Sequence, residues 1–213
     1  YVVATPPSAD DQTTEAQSTE GPSPALGVFC GSRSGSDDTV HALAQDLGSA
    51  LAAANVDLIY GGAGIGVMGT LANAVLESGG RAVGVIPVGL FSREVAHHGL
   101  TELIEVTDMH ARKRTMYERS DAFCALPGGY GTLEEVFEAA TWTQLGLHNS
   151  PKPIGLLDCS PVDRPRFWSG LEEFLDRTVA DGFISAENRS IVRRVDSVAA
   201  AVQLTTCSGR LEW

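Results

Sequence analysis

The stretch Leu126-Pro127-Gly128-Gly129-Tyr130-Gly131-Thr132-Leu133-Glu134-Glu135 joins an apolar run, Asp121–Leu126, to a segment of helical spacing, Leu133–Leu145. Strand, glycine-rich loop and helix in that order is the repeating unit of parallel α/β sheets. The unit occurs twice more upstream. Gly31-Ser32-Arg33-Ser34-Gly35 ends the strand-like Leu26–Gly31. Gly61-Gly62-Ala63-Gly64-Ile65-Gly66-Val67-Met68-Gly69 follows Val56–Tyr60 and runs into a helix over Gly66–Ser78. Asp37/Asp38 can cap a helix whose apolar face is Val40, Leu43, Leu47 and Leu51. Further strands are expected at Arg81–Pro87, Leu103–Thr107 and Pro153–Leu157, the last of them closing the central sheet. A helix is expected at Met109–Ser120. Helices near Phe167–Asp181, Ala186–Arg194 and Ser197–Leu204 finish the chain. Near-continuous apolar strands alternating with helices predict one doubly wound, Rossmann-like α/β domain over residues 25–213, with helices on both faces of a parallel sheet. Ligands of such sheets bind at the carboxyl ends of the strands, where all three glycine loops lie.

Composition narrows the function. The 213 residues carry 15 Lys+Arg against 27 Asp+Glu, a net charge of −12. That balance argues against a nucleic-acid polymer as partner, which needs clustered cations. No apolar run approaches the roughly 20 residues of a membrane helix. Cys30, Cys124, Cys159 and Cys207 are scattered and form no C-x-x-C, a pattern that fits a reducing cytoplasm, although four cysteines could also pair. The five histidines show no metal-ligand spacing, and His97-His98 reads as surface loop. Residues 1–24 contain no Lys or Arg and are rich in Thr, Ser, Pro, Gln and acids, among them Asp10, Asp11, Glu15 and Glu20. Their composition predicts a flexible acidic tail, with neither the basic nor the apolar region of a signal peptide.

Glycine after a strand lets the backbone approach a ligand, and the next helix offers free N–H groups to an anion. Glycines also make plain tight turns; three such loops on one edge favour a phosphate-bearing ligand. Gly64-Ile65-Gly66-Val67-Met68-Gly69 matches G-x-G-x-x-G, but it follows the second strand rather than the first, and the next strand ends Val85-Ile86-Pro87-Val88 without an acid. That speaks against a dinucleotide, and a P-loop is absent. A small ligand with a single phosphate fits better. Arg112, Lys113, Arg114 and Arg119 crowd one helix after His110; they form a solvated face, or bring Arg112 or Lys113 beside the third loop. Thr132 and Glu135 have the spacing of a capping box, which alone accounts for both. A carboxylate in a first helical turn also stays ionised, as a group that stabilises a cationic transition state must. Met109, Met116 and Tyr117 read as core.

Asp108-Met109-His110-Ala111-Arg112-Lys113, together with the P-G-G-x-G-T-x-x-E stretch, resembles the signatures of the Lonely Guy (LOG) family, often labelled lysine decarboxylase-like. Phe29-Cys30-Gly31-Ser32, Tyr60-Gly61-Gly62, Val67-Met68-Gly69 and Thr141-Trp142-Thr143-Gln144-Leu145-Gly146 extend the resemblance over roughly Leu26 to Ile184. It implies hydrolysis of N6-modified adenosine 5′-monophosphates to free base and ribose 5-phosphate, with Arg112 and Glu135 as the catalytic pair. It implies phosphate binding by Gly128, Gly129, Tyr130, Gly131 and Thr132, with Gly31 and Ser32 beside them. Glu94, Lys113, Glu134 and Thr141 match substrate-contacting positions. The family implies a homodimer with the site near the interface, and no metal or other cofactor. This sequence departs from the family at Ala63 and at Val95-Ala96-His97-His98-Gly99. The decarboxylase label would require a Schiff-base lysine for pyridoxal phosphate, and the only lysines are Lys113 and Lys152. A nucleotide- or molybdopterin-binding carrier and an NAD-dependent enzyme are the alternatives on this fold.

Overall fold

The computed structural model describes residues 23–36, 38–89, 96–158 and 165–207. The tail expected at 1–24 therefore lies almost wholly outside the described residues, as do Asp37 and Glu94.

Among the described residues seven strands form one parallel sheet: β1 (Ala25–Phe29), β2 (Asp57–Tyr60), β3 (Ala82–Pro87), β4 (Glu102–Val106), β5 (Ala122–Ala125), β6 (Ile154–Leu157) and β7 (Val192–Val195), in the spatial order β4-β3-β2-β1-β5-β6-β7. The helices are α1 (Thr39–Ala53), α2 (Gly66–Glu77), α3 (Met109–Arg119), α4 (Tyr130–Gln144), α5 (Ser169–Ala180), α6 (Ala186–Arg189) and α7 (Val198–Gln203). Strand alternation divides the core in two. Leu26, Val28 and Cys30 of the first strand segment face a cluster with Leu47, Leu51, Leu71 and Val75 of α1 and α2. Ala25 and Phe29 face the opposite cluster, with Met116 and Tyr117 of α3, Val136 and Ala139 of α4, and Trp168. Both faces of the sheet are covered, as the apolar strands require. No helix among the described residues is long and apolar enough to cross a membrane.

The chain builds outward from β1 to β4 and then returns to the other side of β1 with β5. The order reverses between β1 and β5, and a crevice opens at such a switch point. The loops after β1 and β5 are the first and third glycine loops.

The structure corrects three expectations. Helix α4 begins at Tyr130, not Leu133, with Gly129 as its N-cap. Thr132 is therefore inside the first turn and makes no capping box with Glu135. The segment expected as one helix over Ala186–Arg194 is a single turn, α6, followed by edge strand β7, which pairs with β6; Pro153–Leu157 thus does not close the sheet. Three of five residues in Ile191-Val192-Arg193-Arg194-Val195 are β-branched, and burial of Val192 and Val195 against the sheet decides the conformation. Finally, the Asp38 side chain makes no capping hydrogen bond to α1.

Candidate active site

A cavity of about 490 Å3 lies at the switch point. Arg112 of α3 and Glu135 of α4 meet in it, Nη1 to Oε1 at 3.4 Å, and both are buried. Arg112 also donates from Nε to the Val85 carbonyl at 3.1 Å, which fixes the guanidinium plane. Gly61 leaves room for it: a Cβ there would collide with the Arg112 Nη2. Helix α3 is anchored at both ends. Asp108 Oδ1 accepts from the Ala111 N–H at 2.8 Å, and that backbone hydrogen bond holds the exposed carboxyl below its ordinary range. At the other end the Lys152 ammonium donates to the carbonyls of Tyr117, at 2.7 Å, and Ser120. Burial lowers the Lys152 pKa.

The N-terminus of α4 forms the opposite wall. Gly129, Tyr130, Gly131 and Thr132 all line the cavity. A Cβ added at Gly129 or Gly131 would meet nothing within 4 Å, so packing within the chain does not demand glycine at either position. Neither has a positive φ. The open space suits a ligand that approaches the backbone closely. Gly128 differs: a Cβ there would strike the Thr132 side chain. Gly128 thus seats Thr132, and it lines an adjoining cavity of about 350 Å3 that shares Gly31, Arg33 and Gly129 with the first. The Thr132 hydroxyl is buried, with the residue only 3% exposed, and has no hydrogen-bond partner. An orphaned buried hydroxyl beside free helix N–H groups is chemically poised for an anion.

Gly31 and Ser32 also line the cavity, and Tyr130 stands at its rim, 93% exposed. Lys113 and Glu134 pair with each other at 2.5 Å; Lys113 further holds Glu138 at 2.8 Å, and Glu138 accepts from the Tyr117 hydroxyl at 2.8 Å. Burial opposes the Lys113 charge, but Glu134 and Glu138 outweigh it and raise its pKa. These residues brace α3 against α4 beside the cavity rather than lining it. Thr141 is exposed on α4 and donates to the Phe137 carbonyl; nine residues from Thr132, it is about 13.5 Å along the helix. The second glycine loop is mostly architectural: Gly66, with φ +59°, lies under the Ser32 carbonyl and the Arg33 amide of the first loop. Cavity residues to which the sequence analysis gave no site role are Val28, Cys30, Arg33, Gly61, Met68 and Met109. Met109, expected in the core, is 41% exposed. Burial, reinforced by the neighbouring Glu135 charge, pushes the Cys30 thiol far up, so it is a neutral wall.

Neither lysine suits a Schiff base. The Lys152 ammonium is buried against carbonyls at the end of α3, Lys113 is held by two carboxylates, and neither lines the cavity. The residues therefore do not fit pyridoxal phosphate.

A parallel sheet whose switch-point cleft holds an anion-ready helix terminus and a buried arginine–glutamate pair defines an α/β protein of the nucleotide-site class. Residues 68–205 match the family described as "Possible lysine decarboxylase". The chain belongs to that family. The cytokinin riboside 5′-monophosphate phosphoribohydrolase of Rhodococcoides fascians is 47% identical over 180 residues, covering 83% of this chain and 87% of that one. LOG3 of Arabidopsis thaliana, named for the same activity, is 47% identical over 165 residues, covering 78% and 74%. Among solved structures, the molybdenum cofactor carrier protein of Chlamydomonas reinhardtii superposes with a TM-score of 0.64 over 87% of this chain and 99% of that one. At 23% identity, that likeness speaks for the fold alone.

Proposed function

We propose that this protein hydrolyses the N-glycosidic bond of nucleoside 5′-monophosphates, N6-modified adenosine monophosphates foremost, releasing free base and ribose 5-phosphate. One observation carries the reading. The open N-terminus of α4, with its unpartnered Thr132 hydroxyl, shares a cavity with the Arg112–Glu135 pair. The names of relatives at 47% identity support it.

Cleavage builds positive charge on the ribose ring and negative charge on the departing base. Glu135 stabilises the cation or activates the attacking water. Arg112 carries a guanidinium, which is a poor proton donor. Its role is electrostatic, toward the base or phosphate, and it keeps Glu135 oriented. Gly129, Gly131 and Thr132 bind the phosphate, with Gly31, Ser32, Gly128 and Tyr130 shaping the surround. Lys113 and Glu134 act by fixing α3 to α4. Glu94 is assigned to substrate by family resemblance.

The working form is a homodimer with the site near the interface. Tyr130, Phe137 and Leu145 are exposed along one side of α4, with Thr141 between them, an apolar face that a second copy would cover. Thr141 would then reach substrate across the interface. The free, buried thiols of Cys30 and Cys124 suit a reducing cytoplasm.

Glu135→Gln tests the assignment. The amide keeps the shape and an acceptor for Arg112 but loses the charge. Turnover is expected to fall by about a hundredfold or more, a loss of roughly 2.7 kcal/mol or more in transition-state stabilisation. The thermal midpoint should move much less. Unchanged turnover in a folded variant would remove Glu135 from the chemistry.

A further inference from the structure

A phosphate dianion in a protein of net charge −12 is held more strongly when a cation joins the helix N–H groups. The two basic residues expected to supply it are engaged elsewhere. Arg112 is tied to Val85 and Glu135, and Lys113 to Glu134 and Glu138 outside the cavity lining. Arg33, on the loop after β1, lines the cavity and its neighbour alike. It is exposed and has no ion-pair partner among the described residues. Its backbone is fixed from below, because Gly66 packs directly under Ser32 and the Arg33 amide. The loop and the N-terminus of α4 border one space, and the buried Thr132 hydroxyl in that space has no protein partner.

We propose that Arg33 is the guanidinium that binds the substrate's 5′-phosphate from the side opposite α4. The proposal rests on the reading of this cavity as a nucleoside 5′-monophosphate site. A guanidinium presents paired N–H donors that match two phosphate oxygens, which an ammonium cannot do. Arg112 is thereby left to the ribose and base. As an exposed residue Arg33 also meets the incoming phosphate first, which makes it a determinant of capture as well as of affinity.

The test uses the full chain, with Arg33→Ala and Arg33→Lys compared with the parent. Ribose 5-phosphate and inorganic phosphate serve as binding probes by calorimetry, and adenosine 5′-monophosphate and its N6-isopentenyl derivative as substrates. Arg33→Ala is expected to weaken ribose 5-phosphate binding and lower kcat/KM by about 10- to 100-fold, mainly through KM, with an unchanged thermal midpoint. Arg33→Lys should recover part of the loss, since it keeps the charge but not the fork. Equal binding of ribose 5-phosphate by parent and Arg33→Ala would overturn the proposal. So would an equally large loss of binding by Arg33→Ala to adenosine, titrated in the same way, since adenosine has no phosphate to grip. A parent that binds ribose 5-phosphate but releases no base would refute the hydrolase reading instead, and the binding comparison would still decide the role of Arg33.

Discussion

Gly61 and Arg112 show how one missing atom makes room for a buried side chain. The guanidinium occupies the space where a Gly61 Cβ would stand, and the obstructing atom is the far end of a long side chain. Gly61→Ala should therefore displace Arg112 rather than unfold the chain. Activity is expected to drop by about tenfold or more, with a shift of only a few degrees in thermal midpoint. Gly66→Ala should do the reverse, because φ is +59° and the clash is with the backbone of Ser32. It should unfold earlier, as thermal scans would register. His148 provides a pH signature. Its ring packs among Tyr117, Phe123 and Trp142, and its Nε2 is buried without a partner. Burial, with the Lys152 charge second, lowers its pKa to about 4. Between about pH 6.5 and 4 the unfolded chain then binds a proton that the folded chain does not, so stability falls as the pH drops through that window. His148→Phe should flatten this part of the curve in denaturant titrations at pH 7 and 4.5. An undiminished slope would assign the acid sensitivity to other groups.

At the scale of elements, α3 matters because it carries Arg112. The Lys152 ammonium holds its last carbonyls. Lys152→Met leaves two buried carbonyls wanting, each worth about 1–3 kcal/mol. A lower thermal midpoint is expected together with a lower kcat, as the α3 terminus loosens. Loss of stability with kcat intact would show that Arg112 is held by Val85 and Glu135 alone. The sequence made much of this legible. Strand–loop–helix periodicity locates β1 through β6 and α1 through α5 to within a few residues, because burial leaves short apolar runs in β1, β2, β3, β5 and β6, each bounded by turn residues. The start of α4 is not legible, since glycine scores against helix and Gly129 and Gly131 flank its first residue, Tyr130. Strand β7 is not legible because two arginines interrupt a short edge strand that pairing with β6 and burial of Val192 and Val195 specify. Arg112 and Glu135 could be named from their motifs. Their contact could not, because it depends on how β3, α3 and α4 converge. The role of Lys113 as a brace is likewise invisible in a run of basic residues.

For the whole molecule, the reversal of strand order between β1 and β5 places the first and third loops against one space, and the second loop supports them from beneath. In the proposed binding mode the phosphate anchor is away from the bond that breaks, so its binding energy would position the ribose against Glu135. An account in which the α4 terminus grips phosphate predicts dependence of turnover, not merely of affinity, on that group. The most direct measurement is chromatographic: N6-isopentenyladenosine 5′-monophosphate and the bare nucleoside are each incubated at saturating concentration with the full chain, and free base and ribose 5-phosphate are quantified. The account predicts equimolar base and ribose 5-phosphate from the monophosphate, and turnover at least about a hundredfold lower on the nucleoside, each factor of ten being worth about 1.4 kcal/mol. Comparable turnover on the two, or no base released from either, would contradict it.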